Sequence, residues 1–252
     1  MNLKIKNMSL FTMFEVGGKV RDEILGLQSK DVDYVAVPND MLLRDYKTAP
    51  EMFEVLSDYL TAEKFEIFLE TPDCYTIRAR FPKNHKYQGV ADFVMARKEI
   101  GYIPGTRTPI VVPGTLYDDL ERRDFTLNAL AKDEDGTIID FFNGKKDLED
   151  RILRTPLDCS VTFDDDPLRI LRAIRFSITK GFTIPEEMFM QIITYNYNEK
   201  MGVVSDERIR EELFKCLKAD TLQTLDTLND FIPLRNYIFN KTKLWLKPTF
   251  EE

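Results

Sequence analysis

Two aspartates one residue apart, Asp31 and Asp33 in the run KDVDYVAV, are the first residues of this 252-residue chain whose type and spacing suggest chemistry. The run is rich in β-branched residues and alternates, which predicts a strand ending at Pro38. Side chains at i and i+2 of a strand share a face, so the two carboxylates project together. Like charges that close cost free energy unless something positive lies between them. Two readings stay open for the pair alone. It is either a set of hard oxygen ligands for Mg²⁺, with phosphate oxygens completing the shell, or the polar face of a solvated edge strand.

The residues upstream bear on that choice. Gly17-Gly18 marks a turn, and KVRDEILG after it reads as a short helix with Val20, Ile24 and Leu27 near one face. A glycine turn opening a helix exposes backbone N–H groups, and a helix N-terminus attracts anions. Arg21 falls in the first turn, within reach of a triphosphate. Lys19 is close by, but the GxxxxGK[ST] pattern is absent, so this is not a Walker-type loop.

Composition narrows the chemistry further. His85 is the only histidine, which argues against Ser-His-Asp and histidine-metal sites. Cys74, Cys159 and Cys216 are far apart and form no CxxC pair, so neither a zinc ribbon nor a disulfide framework is expected. Catalysis would rest on carboxylates, arginines and backbone. The net charge of −8 does not suggest a general nucleic-acid coat, although a locally basic groove is compatible with it. No apolar run approaches the ~20 residues that cross a membrane. The start, MNLKIKNMSL, lacks the apolar centre and cleavage site of a signal peptide, so a cytosolic (cytoplasmic) protein without a membrane partner is expected.

Positioning these groups requires a framework. TAPEMFEVLSDYLTAE predicts an amphipathic helix with Met52, Leu56, Tyr59 and Leu60 on one side and Thr48 as N-cap. FEIFLE, YTIRARF and GVADFVMAR read as three strands. The Gly-, Pro- and Thr-rich stretch between Gly101 and Gly114 reads as a mobile loop or crossing linker. LYDDLERRDFTLNALA reads as mostly helical, DGTIIDFFNG as a hairpin, and helical signals dominate from Lys145 onward. The chain thus reads as an α/β head followed by a helical part.

GGKVRD followed by DVD resembles the nucleotidyltransferase signature of the polymerase-β superfamily. More narrowly it resembles the class II tRNA nucleotidyltransferase (CCA-adding enzyme) and bacterial poly(A) polymerase family. ERRDFTLNAL (Glu121–Leu130) is similar to that family's RRDxTxNAL motif, and DDPLRILRAIRF (Asp165–Phe176) to its EDxxR motif and following helix. Arg208, Glu212 and Lys215 in RIREELFK match RxxxExxK, and DFFNGKKDLEDRILR resembles the connecting segment. The motifs run in order from about Phe14 to Leu217.

The resemblance implies an α+β fold: a polymerase-β-like nucleotidyltransferase head, with a mixed sheet and flanking helices, then an all-helical neck and a truncated body. The implied domains are a catalytic head over 1–140, a neck with a nucleobase-selecting motif over 141–217, and a short helical body over 218–252. The resemblance makes Asp31 and Asp33 the ligands of two catalytic Mg²⁺ ions. It makes Gly17, Gly18 and Arg21 binders of the incoming triphosphate. Asp92, in GVADFVMAR, is either a third catalytic carboxylate or an incidental acid beside the site.

In RRDFTLNAL, Asp124 can accept from a ribose 2′-OH, Arg123 can present its donor fork to phosphate or orient Asp124, and Asn128 can support the ribose pocket. The same residues also suit a capped helix with an internal Arg–Asp pair. Asp165-Asp166-Pro167 suits a helix start. Asp166 and Arg169 are three apart and share a face. A carboxylate beside a guanidinium matches the amino-donor and ring-nitrogen-acceptor edges of cytosine and adenine, whereas uracil and guanine reverse the pattern. A capping box with a surface salt bridge is the alternative. Arg172 and Arg175 extend toward phosphate or stabilise the helix. Asp165 stands where the family usually has Glu, and its shorter side chain changes its reach. Arg208 and Glu212, four apart, are expected to lock a helix turn as scaffold.

The implied activity is template-independent addition of CMP and AMP, from CTP and ATP, to the 3′ end of tRNA or another RNA, with release of pyrophosphate. A poly(A) polymerase or partial adding enzyme of the same family, and a non-catalytic RNA-binding module, are the alternatives. The loop between Gly101 and Gly114 is expected to gate the change from CTP to ATP. In the closing stretch, Arg235, Lys241, Lys243 and Lys247 alternate with aromatics, which fits either an RNA contact or a terminal amphipathic helix with a wet face.

Overall fold

The computed structural model describes residues 9–28, 32–103, 105–106 and 108–242, with side chains as far as Asn240. Asp31, Lys243 and Lys247 lie outside the described residues, as does the Lys241 side chain. The chain forms two compact units. The first comprises Met1–Tyr102 and Pro109–Leu148, and the second Ile103–Thr108 and Glu149–Glu252.

The first unit is built on a seven-stranded sheet of order β3-β4-β5-β2-β1-β8-β9. Its strands are β1 (Phe11–Val16), β2 (Asp33–Pro38), β3 (Glu66–Thr71), β4 (Thr76–Arg80), β5 (Val90–Met95), β8 (Leu130–Lys132) and β9 (Ile138–Asp140). Only β2 and β5 pair in parallel, so the sheet is mixed. Period-two alternation sorts its side chains. One face carries Phe11, Tyr34, Ile77, Ala79 and Phe93 against the buried Met52, Phe53, Leu56 and Leu60 of α3 (Ala49–Ala62). Thr48 caps α3 by accepting from the Glu51 N–H at 3.4 Å, as the sequence predicts. Burying each of Leu56 and Leu60 contributes about 1.5–3 kcal/mol.

The opposite face carries Val16, Val35 and Ala131 against Leu116 and Leu120 of α4 (Leu116–Glu121). The register on this face runs Val16–Asp33–Asp92–Arg78 across β1, β2, β5 and β4. Preceding the sheet's second strand is α1 (Gly18–Ile24); α2 (Asp40–Asp45), which the sequence reading missed, follows it behind an Asn39 cap that accepts from Leu42 N–H at 3.0 Å.

Two expectations are corrected. The stretch expected as a loop is a hairpin of β6 (Arg97–Tyr102) and β7 (Pro109–Pro113), with Lys98 opposite Val112 and Glu99 opposite Val111. Pro109 and Pro113 end β7 and Gly101 sits beside the bulge, positions that a two-stranded ladder tolerates, and the Ile-Val-Val run between the two prolines pairs. LYDDLERRDFTLNALA is helical only to Glu121; one 3₁₀ turn, Thr126–Asn128, and strand β8 follow. Here the Asp124 carboxylate accepts from the Phe125 N–H at 2.8 Å, and that local bond competes with continuation of the helix.

The second unit is helical. After α5 (Gly144–Asp150) come α6 (Cys159–Asp165), α7 (Leu168–Lys180), α8 (Glu186–Thr194), α9 (Tyr197–Lys200), α10 (Asp206–Ala219), α11 (Thr221–Asp230) and α12 (Ile232–Thr242). Leu168, Ile170, Leu171, Ile174 and Phe176 of α7 are buried. Gly181, at φ 69°, ends α7 in the left-handed conformation that glycine adopts without penalty. The architecture is the α+β arrangement, mixed sheet then helices, that the sequence implies. No helix among the described residues is long and apolar enough to cross a membrane.

Candidate active site

In the first unit the glycine turn starts where β1 ends, and the last residue of β1, Val16, pairs with Asp33. Gly17 has φ 70°, which an L side chain rarely adopts, and a Cβ there would lie 3.1 Å from Arg123 Nη1. A Cβ on Gly18 would lie 3.5 Å from Arg21 Nη2. The glycine pair thus lets two guanidiniums approach the turn.

Those guanidiniums belong to one connected network. Arg21, 8% exposed, donates from Nη1 to Asn128 Oδ1 at 2.6 Å and from Nε to Asp22 at 2.8 Å. Asn128 Nδ2 donates in turn to Asp124 Oδ1 at 2.9 Å. Arg123 donates to the Asn128 carbonyl at 3.4 Å and to Asp119 Oδ2 at 2.9 Å. Its Nε is buried without a hydrogen-bond partner. Gly17, Gly18, Arg21, Arg123, Asp124 and Asn128, which the sequence singled out separately, are therefore brought together. The 3₁₀ turn Thr126–Asn128 presents Asn128 to Arg21, 107 residues away in sequence, while Asp124 stays its neighbour four residues back.

Asp33 and Asp92 are in-register neighbours on parallel strands and share a face. The Asp92 carboxylate is gripped by both Arg78 Nε and Nη2, each at 2.7 Å. Two carboxylates in register supply the hard oxygen donors Mg²⁺ prefers, and Asp92 would have to exchange its arginine to serve as one. Among the described residues no group of three or more His, Cys, Asp or Glu side chains forms a metal site.

Sequence reasoning missed Asp119. It is 0% exposed and accepts from Arg122 as well as Arg123. Burial alone would raise its carboxyl pKa, but the two guanidiniums outweigh that and hold it below the ordinary range. Arg122 also lies 3.7 Å from Glu99, which lies 3.6 Å from Arg97. The available signal was spacing: Asp119 stands three and four residues before the arginine pair.

In the second unit, α6 ends at Asp165, so Asp165 closes one helix and Asp166 lies between two. Asp166 Oδ1 accepts from the Leu168 N–H at 3.0 Å, and Oδ2 lies 3.9 Å from Arg208. Arg169 donates to the Thr162 carbonyl at 3.2 Å. Arg169, Arg172 and Arg175 recur every three residues and are half-buried along α7. Arg175 donates to Glu212 at 2.5 Å, and Lys215 donates to the same carboxylate at 2.9 Å. Burial would raise the Glu212 carboxyl pKa, but the Lys215 bond and the Arg175 and Arg172 charges hold it low. Glu212 thus ties α10 to α7, and Arg208 reaches Asp166 rather than locking its own helix turn.

A mixed sheet thus sets a carboxylate strand beside an arginine-lined glycine turn. The chain belongs to the family described as the poly A polymerase head domain, whose profile matches residues 13–154. It is 31% identical to a CCA-adding enzyme of Buchnera aphidicola subsp. Cinara cedri over 91% of this chain and 52% of that protein. It is 32% identical to a multifunctional CCA protein of Aromatoleum aromaticum over 81% of this chain and 44% of the other. The chain spans about half the length of the curated relatives it matches. Among solved structures, the Bacillus stearothermophilus CCA-adding enzyme in complex with CTP aligns at TM-score 0.65 and 28% identity, over 83% of this chain and 45% of that one. The Thermotoga maritima CCA-adding enzyme complexed with tRNA-CCA aligns at TM-score 0.68 and 27% identity, over 92% and 49%.

Proposed function

We propose that this chain is a template-independent RNA nucleotidyltransferase that adds CMP and AMP, from CTP and ATP, to the 3′ end of tRNA. The observation that carries this reading is the Arg21–Asn128–Asp124 network behind a glycine turn that begins beside Asp33. In the reaction the RNA 3′-oxygen forms a bond to the α-phosphorus, the bond to the β-phosphate bridge breaks, and pyrophosphate leaves. Asp124, steadied by Asn128, accepts from the ribose 2′-OH. Arg123 offers to a phosphate oxygen the Nη1 end of its guanidinium, the end that approaches the glycine turn. Gly17 and Gly18 admit the phosphates, and Arg21 braces Asn128 from behind. Asp166 and Arg169 select cytosine and adenine by their shared donor–acceptor edge, with Arg172 beside them; Arg175 supports that helix through Glu212.

Asp33, with Asp31, would hold Mg²⁺, two ions in the full site, with Asp92 as a further carboxylate once Arg78 lets go. The ions when bound would lower the proton affinity of the attacking hydroxyl and neutralise the pyrophosphate. The head is assigned to 1–140, the neck to 141–217 and the body to 218–252, and cytosolic action is expected. The structural likeness, over most of this chain, to relatives solved in complex with CTP and with tRNA supports the substrate assignment. The test uses labelled tRNAs ending before CCA, at C and at CC, with each nucleoside triphosphate supplied singly and Mg²⁺ present. Stepwise addition of C, C and A is expected. Long tails with ATP alone would reassign the chain to poly(A) synthesis, and no extension of any end would defeat the catalytic reading.

A further inference from the structure

The second unit carries a groove of about 550 Å³ whose walls differ from the arginine-rich α7. It is lined by Tyr195, Tyr197 and Tyr237 together with Asn198, Asn236 and Asn240, and no charged side chain of the described residues lines it. The rings form a connected surface: Tyr195 and Tyr197 lie 5.3 Å apart between centroids, and Tyr197 and Tyr237 5.9 Å apart with planes inclined by 34°.

Two of these rings are held from behind. Tyr197 donates its hydroxyl to the Ile192 carbonyl at 2.6 Å, and Tyr195 donates to the Phe163 carbonyl at 3.1 Å. Each phenol's polar end is thereby spent on backbone, which fixes the ring and lowers the ordering cost of placing a ligand against it. Asn198, Asn236 and Asn240 are exposed along α9 and α12. An amide offers a donor and an acceptor together, so three of them match a base edge of either polarity. The groove is too polar for a lipid or an amphipathic helix, and Arg235 donates to the lining Asn236 Oδ1 at 3.4 Å. Lys200 stands at its border, over the Tyr195 ring at 5.6 Å and paired with Asp164.

We propose that this groove binds an unpaired nucleotide of the RNA substrate, stacking its base on the half-buried Tyr195 and Tyr237, which the buried Tyr197 backs, and reading its edge with the asparagines. This rests on the nucleotidyltransferase reading for the identity of the ligand, but not for the binding itself. The test is equilibrium binding of a fluorescein-labelled single-stranded 12-nucleotide RNA to the full chain by anisotropy. Tyr237→Ala is expected to weaken binding about tenfold, as loss of one stacking partner does, and Tyr237→Phe to bind within about twofold of the parent. The slope of log affinity against log salt should not change, because no phosphate contact is removed. Asn236→Ala/Asn240→Ala should weaken binding with the thermal midpoint unmoved.

Unchanged affinity in Tyr237→Ala, while the parent chain extends RNA, would overturn the groove and leave the catalytic reading intact. The expected losses in a chain that extends no RNA end would do the reverse. A β-glucan oligosaccharide whose binding falls in Tyr237→Ala, with RNA affinity unmoved, would reassign the groove to carbohydrate and overturn the proposal.

Discussion

Asp119 and Arg123 are joined at 2.9 Å in a setting where the carboxylate has no exposed surface. Arg122 grips the other oxygen. The carboxylate could not be buried here without those guanidiniums, since an unpaired charge inside a protein costs several kcal/mol. Replacing Asp119 with Asn keeps the shape and removes the charge. Asp119→Asn is expected to lose about 3–5 kcal/mol of stability at pH 7 in urea unfolding. A loss below about 1 kcal/mol would mean the pair is dispensable.

The same pair sets an acid dependence. The folded-state pKa of Asp119 lies below its ordinary value of about 3.9. Its stabilisation is therefore complete above the unfolded value and disappears as pH falls through the lower folded one. Glu212, held low in the same way, adds to this loss. Stability measured from pH 6 downward should fall less steeply in Asp119→Asn than in the parent. An equal slope would remove Asp119 from the acid transition.

At Gly17 a side chain meets two obstacles, the positive φ of 70° and Arg123 Nη1 at 3.1 Å. Gly17→Ala is expected to cost about 1 kcal/mol from backbone strain. Displacement of Arg123 should also raise KM for the nucleoside triphosphate about tenfold, an effect that strain alone would not produce. Steady-state incorporation against nucleotide concentration separates the two.

The fold was largely legible because its signals are local. The i, i+4 spacing of Met52, Leu56 and Leu60 and the Thr48 cap foretell α3, and the alternation after Asp33 foretells β2. The motif residues were legible as types, but their partnerships were not. RRDFTLNAL has helical composition, yet the Asp124 bond to the Phe125 N–H redirects the chain, and only that turn brings Asn128 to Arg21 across 107 residues of sequence. Asp119 escaped notice because a carboxylate three or four residues before an arginine usually marks a solvated face. The β6–β7 hairpin was hidden because Pro109 and Pro113 mark the ends of β7 and Gly101 a bulge, and so read as a loop.

Asp33 and Asp92 face the same way from adjacent strands, and Arg78 grips both oxygens of Asp92. Asp33→Ala should lower incorporation at least 10³-fold, on the order of removing a principal electrostatic group. Arg78 is about half exposed, so breaking its pair costs about 1 kcal/mol or less in stability. Arg78→Ala should instead lower the Mg²⁺ concentration for half-maximal incorporation, because both Asp92 oxygens become available. An unchanged Mg²⁺ dependence, with Asp92→Asn fully active, would confine Asp92 to the salt bridge.

Asp166 can be altered without disturbing its structural bond. Its Oδ1 accepts from the Leu168 N–H at 3.0 Å, and the carbonyl oxygen of an asparagine can accept from the same donor. The remaining atom then changes from an acceptor to an NH₂ donor. Cytosine offers an amino donor at the edge where uracil offers an oxygen, so the substitution favours the wrong base. Asp166→Asn should leave the thermal midpoint within about 2 °C, consistent with a retained cap. The ratio of kcat/KM for CTP over UTP should fall at least tenfold, which corresponds to about 1.4 kcal/mol of discrimination. Arg208→Ala serves as the comparison. It removes the charge 3.9 Å from Oδ2 and keeps the carboxylate, so base preference should hold while kcat/KM falls for both nucleotides together. A parallel fall in both ratios, or none in either, would exclude Asp166 from base selection.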